Sequence, residues 1–257
     1  MSKNTARKPW TRPDIIIAIN LYCKTPFGKI HVKNPDIINL AKKIGRTPGS
    51  VSYKLANFAS LDTSLKRKGA SHHSRLDQEV WNDFFKNMDV MALKSEWMMS
   101  RLTEETSEFE FDKDMTGRTK TSLVKTRVNQ HFFRQMILAS YNNTCCVTGL
   151  SIPELLIASH IAPWSENKKN RLNPRNGLCL NALHDQAFDK GFITISQGFR
   201  VILSPQLKRS NDVNKKHDML TKYDGKMIAF PSRFLPDQTF LEYHRNHIFR
   251  KAEQRKK

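Results

Sequence analysis

Cysteine is scarce in this 257-residue chain, and the four that occur are badly spaced for cross-linking. Cys145 and Cys146 are adjacent, Cys23 and Cys179 stand alone, and no Cys-x-x-Cys pair is present to hold structural zinc. A disulfide scaffold is therefore excluded, and a reducing, cytoplasmic compartment is the expectation. Long apolar runs are also missing. The strongest, Ile15-Ile16-Ile17-Ala18-Ile19, stops at Asn20, far short of the ~20 residues that span a bilayer, so no membrane association is expected. The first ten residues, MSKNTARKPW, lack an apolar segment, so no secretory signal is expected. Acidic residues are in short supply too. Against 24 Asp and Glu stand 43 Lys and Arg, a formal charge of +19. Such a surface draws in polyanions, of which nucleic acid is the commonest. A hydrophobic fraction of 39% excludes wholesale disorder and can supply more than one core.

Three helices are predicted in residues 11 to about 60. Thr11 caps the first, Pro13 suits its opening turn, and Ile15, Ile16, Ile19 and Tyr22 form its apolar face before Pro26 and Gly28 break it. The second follows Asn34-Pro35, and the third follows the turn Gly45-Arg46-Thr47-Pro48. Ala41, Gly45, Val51 and Leu55 fall where a helix-turn-helix requires a small residue, a turn glycine and core side chains. In that arrangement Ser50, Tyr53, Lys54 and Asn57 are the candidate DNA-facing residues of the third helix. An ordinary three-helix bundle with a solvated polar face is the alternative.

Residues 62–75 are basic and poor in apolar side chains, the composition of a linker, and His72-His73 reads as part of its solvated loop. A helical stretch follows from Leu76 to Leu102, with Val80, Phe84, Met88 and Met91 on one stripe. The carboxylate-rich segment Glu104 to Asp114 reads as a solvated connector, and residues 121–141 as an amphipathic helix. The expected organisation is thus 1–61 as a DNA-recognition domain, 62–117 as linker and connector, and 118–257 as a second domain.

Residues 142–200 carry the chemistry. The order is strand (Leu155 to Ile161), polar loop, Asn176-Gly177 turn, strand (Leu178 to Leu180), then a short helix with His184. A hairpin around Gln197-Gly198 and a basic, initially helical tail from Leu241 complete the pattern. Lys168, Lys169, Arg171 and Arg175 lie in the loop between His160 and Asn176, where phosphate contacts would be useful.

Four elements in this segment occur together and in order: Cys145-Cys146-Val147-Thr148-Gly149, Ser159-His160-Ile161-Ala162-Pro163-Trp164, Asn176-Gly177-Leu178-Cys179-Leu180 and His184-Asp185-Gln186-Ala187-Phe188-Asp189. Jointly they resemble the HNH nuclease family, most closely its bacterial restriction-type subgroup. The resemblance implies a C-terminal ββα-metal nuclease domain that hydrolyses double-stranded DNA; joined to the helix-turn-helix-like N-terminal domain read from spacing, it makes the expected chain α+β. It implies His160 as general base, and His184, Asn176 and Asp189 around a divalent cation. Mg2+ is the default ion, with Mn2+, Ni2+ or Zn2+ permitted by the histidine ligand. Asn176 either binds the cation or holds the loop that positions His160. Cutting both strands with one site per chain implies a homodimer. Ser159 departs from the pattern, because many relatives carry Asp or His just before the base. Asp185 or Asp189 could supply the missing carboxylate. The same departure leaves open a non-catalytic DNA-binding regulator with a degenerate HNH scaffold.

Overall fold

A computed structural model describes residues 8–63, 72–103, 118–166, 170–209 and 218–250 of the chain. Two compact units emerge: residues 1–23 with 28–129, and residues 24–27 with 130–257. The acidic stretch Glu104 to Asp114 lies outside the described residues.

The first unit is helical: α1 (Arg12–Lys24), α2 (Pro35–Lys43), α3 (Pro48–Leu61), α4 (Arg75–Lys86) and α5 (Met88–Thr103). Thr11 caps α1 through its hydroxyl, 3.3 Å from the Asp14 amide, and Asn34 and Thr47 cap α2 and α3. Gly45, at φ 65°, makes the turn between α2 and α3 that only glycine adopts without strain. The predicted apolar face of α1 is an underestimate, since every residue from Ile15 to Cys23 is buried. The reason lies in α4 and α5, expected to form a connector beyond residue 61. They instead cover α1 as part of the same unit. Tyr22 of α1, Phe58 of α3 and Trp81 of α4 meet within 6.0 Å of one another. Buried Asn20 donates to Ser95 and Glu96 of α5, each at 2.7 Å.

This packing corrects two of the DNA-facing expectations. Lys54 points inward, its ammonium 2.8 Å from both carboxylate oxygens of Asp77, and Asn57 is 5% exposed. A cation enclosed with its carboxylate cannot reach a phosphate. Ser50 is half-buried and Tyr53 exposed, so only these two of the four candidates have access to solvent. Asp77 also caps α4 in a reciprocal box with Ser74. Asp77→Ala therefore strands a buried ammonium, and the expected loss is about 3–5 kcal/mol. Lys54→Met combined with Asp77→Leu should restore much of it while leaving DNA affinity unchanged. Urea unfolding and a binding titration check both halves.

The second unit is built on α6 (Arg118–Ser140), which enters it at residue 130, followed by β1 (Leu156–His160), β2 (Gly177–Asn181) and α7 (Ala182–Asp189). The strands are antiparallel, with Leu156 opposite Asn181 and His160 opposite Gly177. Gly177 lets α6 close on this hairpin: a Cβ there would lie 2.4 Å from Ile137 Cδ1 and 2.9 Å from Phe133 Cζ. Arg134 of α6 donates to the Leu156 and Pro153 carbonyls and ties down the start of β1. On the other face α7 packs against both strands. The loop at Cys145-Cys146 extends the edge of β2, with the Cys146 amide 2.8 Å from the Cys179 carbonyl.

β3 (Ile193–Ile195) and β4 (Val201–Leu203) form the expected second hairpin. Its left-handed residue is Phe199, at φ 57°, and not Gly198. Then come α8 (Pro205–Arg209), α9 (Asp218–Thr221) and α10 (Gln238–His247). The chain after α10 braces the far end of α7. The Arg250 amide donates to the Gly191 carbonyl at 3.0 Å, and its guanidinium to the Lys190 carbonyl at 2.7 Å. Gly191 is at φ 71°, and a Cβ there would lie 2.1 Å from the Ile248 carbonyl oxygen. Among the described residues no helix is long and apolar enough to cross a membrane.

Candidate active site

His160 is the last residue of β1, opposite Gly177 at the loop end of the hairpin, and Ser159 before it stands by Asp185 of α7. The His160 ring stacks on Phe133, centroids 4.0 Å apart and planes 13° off parallel, with Trp164 edge-on at 5.2 Å. Its Nε2 lies 2.9 Å from the Arg171 carbonyl. A carbonyl only accepts, so Nε2 carries the proton and Nδ1 keeps a lone pair. Burial, helped by the Arg171 charge, holds this imidazole below its usual range, although the carbonyl contact works against both. His160 is thus a neutral imidazole at neutral pH, in a fixed tautomer.

Asn176 is 1% exposed, and its amide is committed. Oδ1 accepts from the Ala162 amide at 2.8 Å, while Nδ2 donates to the Ala162 carbonyl at 3.1 Å and towards the Asn170 carbonyl at 3.4 Å. Of its two expected roles the geometry fits loop holding. The expectation of Asn176 as a metal ligand is corrected, because its oxygen faces a backbone amide two residues past His160.

His184 occupies the first turn of α7 and is 2% exposed. Asn181, the N-cap, accepts from the His184 amide at 2.9 Å, and the same Oδ1 lies 2.9 Å from His184 Nδ1. Because that oxygen is fixed as an acceptor by the cap, Nδ1 must donate, leaving the lone pair on Nε2. Nε2 is buried and, among the described residues, has no hydrogen-bond partner. Burial first, and the charge of Lys222 second, lower this imidazole to about 4. A neutral histidine with one nitrogen fixed by a donor contact and the other vacant is the usual form of a metal ligand.

Asp185 and Asp189 follow on α7, one turn apart. Burial raises the Asp185 carboxyl, partly offset by the nearby Ser159 hydroxyl. Ser159 therefore stands beside a carboxylate rather than supplying one. Asp189 reaches the surface, yet loss of water on its protein side and then the charge of Asp185 raise it to about 6. These groups fit a hard divalent ion chemically, though among the described residues no three His, Cys, Asp or Glu side chains form a ready cluster.

Residues 145–196 match the HNH endonuclease family. No curated protein matches the chain. The HNH segment thus spans the Cys145 loop, the β1–β2 hairpin, α7 and β3, and the chain as a whole is α+β. Its loop cations behave unevenly. Arg171 turns back, donating from Nε to the Trp164 carbonyl at 2.8 Å. Arg175 is exposed but bridges to Asp237 at 3.2 Å, an exchangeable surface pair. Lys168 and Lys169 lie outside the described residues.

Where zinc knuckles flank many HNH domains, this one packs thiols. Cys145, Cys146 and Cys179 are free and buried. Burial, with neighbouring thiols adding to it, raises Cys146 well above its usual range and Cys179 to about 12. Cys146 and Cys179 are thus protonated packing groups.

Sequence reasoning missed three contributors. Asn181 was readable, since an Asn just before a helix is a capping signal. Phe133 sits 27 residues upstream of His160 within an apolar stripe, with no mark separating it from ordinary core. Tyr223, edge-on to His184 at 5.2 Å, belongs to no motif at all.

Proposed function

We propose that this chain is a metal-dependent endonuclease that hydrolyses phosphodiester bonds of double-stranded DNA, in a restriction role in the cytoplasm. One observation carries the reading: within the HNH segment two imidazoles are each locked by one nitrogen while the other keeps its lone pair. His160 takes the proton from the attacking water through Nδ1 and is held by Phe133 and the Arg171 carbonyl. His184 Nε2, with Asp185 and Asp189 on the same helix, would hold the cation. A bound divalent ion would stabilise charge on the attacked phosphate and on the leaving oxygen. Mg2+ is the ion proposed, and Mn2+, Ni2+ or Zn2+ would also suit a histidine ligand. Asn176 keeps the loop after His160 in place.

In this reading α2 and α3 act as a helix-turn-helix that approaches DNA through Ser50 and Tyr53, and the protein works as a homodimer, one active site per strand. Arg175, exposed and paired only at the surface with Asp237, exchanges that carboxylate for a phosphate near the cut. The test is incubation of supercoiled plasmid, modified and unmodified, with Mg2+ or Mn2+ and with chelator. Metal-dependent relaxation and linearisation are expected. Salt-sensitive binding without metal dependence or strand breaks on any substrate would sink the nuclease and establish a DNA-binding regulator instead.

A further inference from the structure

Outside the matched segment, the turn after α9 brings an aromatic ring flanked by two cations to His184. The turn is fastened at Gly225-Lys226 to the start of β4. The Val201 amide donates to the Lys226 carbonyl and the Gly225 amide to the Val201 carbonyl, both at 2.9 Å, and Arg200 holds the Gly225 carbonyl at 2.9 Å. From this frame the Tyr223 ring meets His184 edge-on, 5.2 Å away and at 79°. The ammonium groups of Lys222 and Lys226 both stand by that ring, 5.1 Å and 5.6 Å from its centre.

We infer that Lys222 and Lys226, steered by Tyr223, bind a backbone phosphate of the DNA beside His184. Both lysines are exposed, and among the described residues neither forms an ion pair. The adjacent carboxylate does not neutralise them: one oxygen of Asp224 pairs with Lys208 at 2.7 Å, and the other accepts from the Leu203 amide at 3.2 Å. Both ammonium groups stand by the one ring that meets His184, so this turn gathers positive charge that a phosphodiester would offset. The contact carries no sequence information, as a phosphate contact next to a cutting site should not.

This inference rests on the nuclease reading, and its test separates the two. The full chain in a His160→Ala background, which binds without cutting, is titrated with labelled duplex DNA across a salt series. Lys222→Ala with Lys226→Ala should flatten the dependence of log affinity on log salt by about 1, the value for the one phosphate they hold. Lys222→Arg with Lys226→Arg should restore the parent slope. An unchanged slope in the alanine pair, with the parent binding normally, overturns this inference alone. A loss confined to duplex RNA does the same. Failure of the parent to bind any duplex overturns the nuclease reading and this inference with it.

Discussion

His160→Ala should slow strand cleavage by about a hundred- to ten-thousand-fold, the usual worth of a positioned general base, while DNA affinity stays near that of the parent. The pH profile gives the sharper signature. The active imidazole is the neutral one, and burial has already displaced His160 below the ordinary histidine range. Lowering the pH protonates it and removes the base, so the rate should fall on the acid side and be flat from neutral pH upward. Asp189, raised to about 6, acts in the same direction, because a protonated carboxyl is a poor cation ligand. An initial-rate series from pH 5 to 9 at saturating metal is the measurement. A rate still climbing tenfold per unit above pH 8 would exclude His160 as the base.

His184→Leu should separate function from stability. A buried nitrogen without a partner costs about 1–3 kcal/mol, and Nε2 of His184 is such an atom. Leucine removes the penalty, so the metal-free variant should melt at or above the parent temperature. The same variant should lose cleavage and the rise in melting temperature that added Mn2+ gives the parent. Asn181→Ala tests the shell behind it, with a ten- to hundredfold fall in metal affinity expected. Thermal melts with and without Mn2+, beside plasmid cleavage, check all of this. If His184→Leu destabilises the metal-free protein and keeps the metal-induced shift, His184 is a packing residue.

The sequence made the HNH hairpin legible because its signals are local. A strand ending in His160, an Asn-Gly pair and a helix opening before His184 are read over a few residues each. The same holds for α2 and α3, whose starts are marked by Asn34-Pro35 and Thr47-Pro48. What sequence could not show was where a side chain points once distant helices arrive. Lys54 looked like a surface cation because its partner, Asp77, lies 23 residues later beyond a basic linker. Residues 62–117 looked like a connector because their apolar stripes have no local partner; for α4 and α5 the partner is α1. Asn176 left two roles open, and only the position of the Ala162 backbone decides between them.

The brace at Gly191 has a consequence for how the fold is completed. The helix carrying His184 is translated well before Ile248 and Arg250, which close over its end. Until those residues have been made, that helix has no clasp, so the end of α7 closes only after the chain beyond α10 has been synthesised.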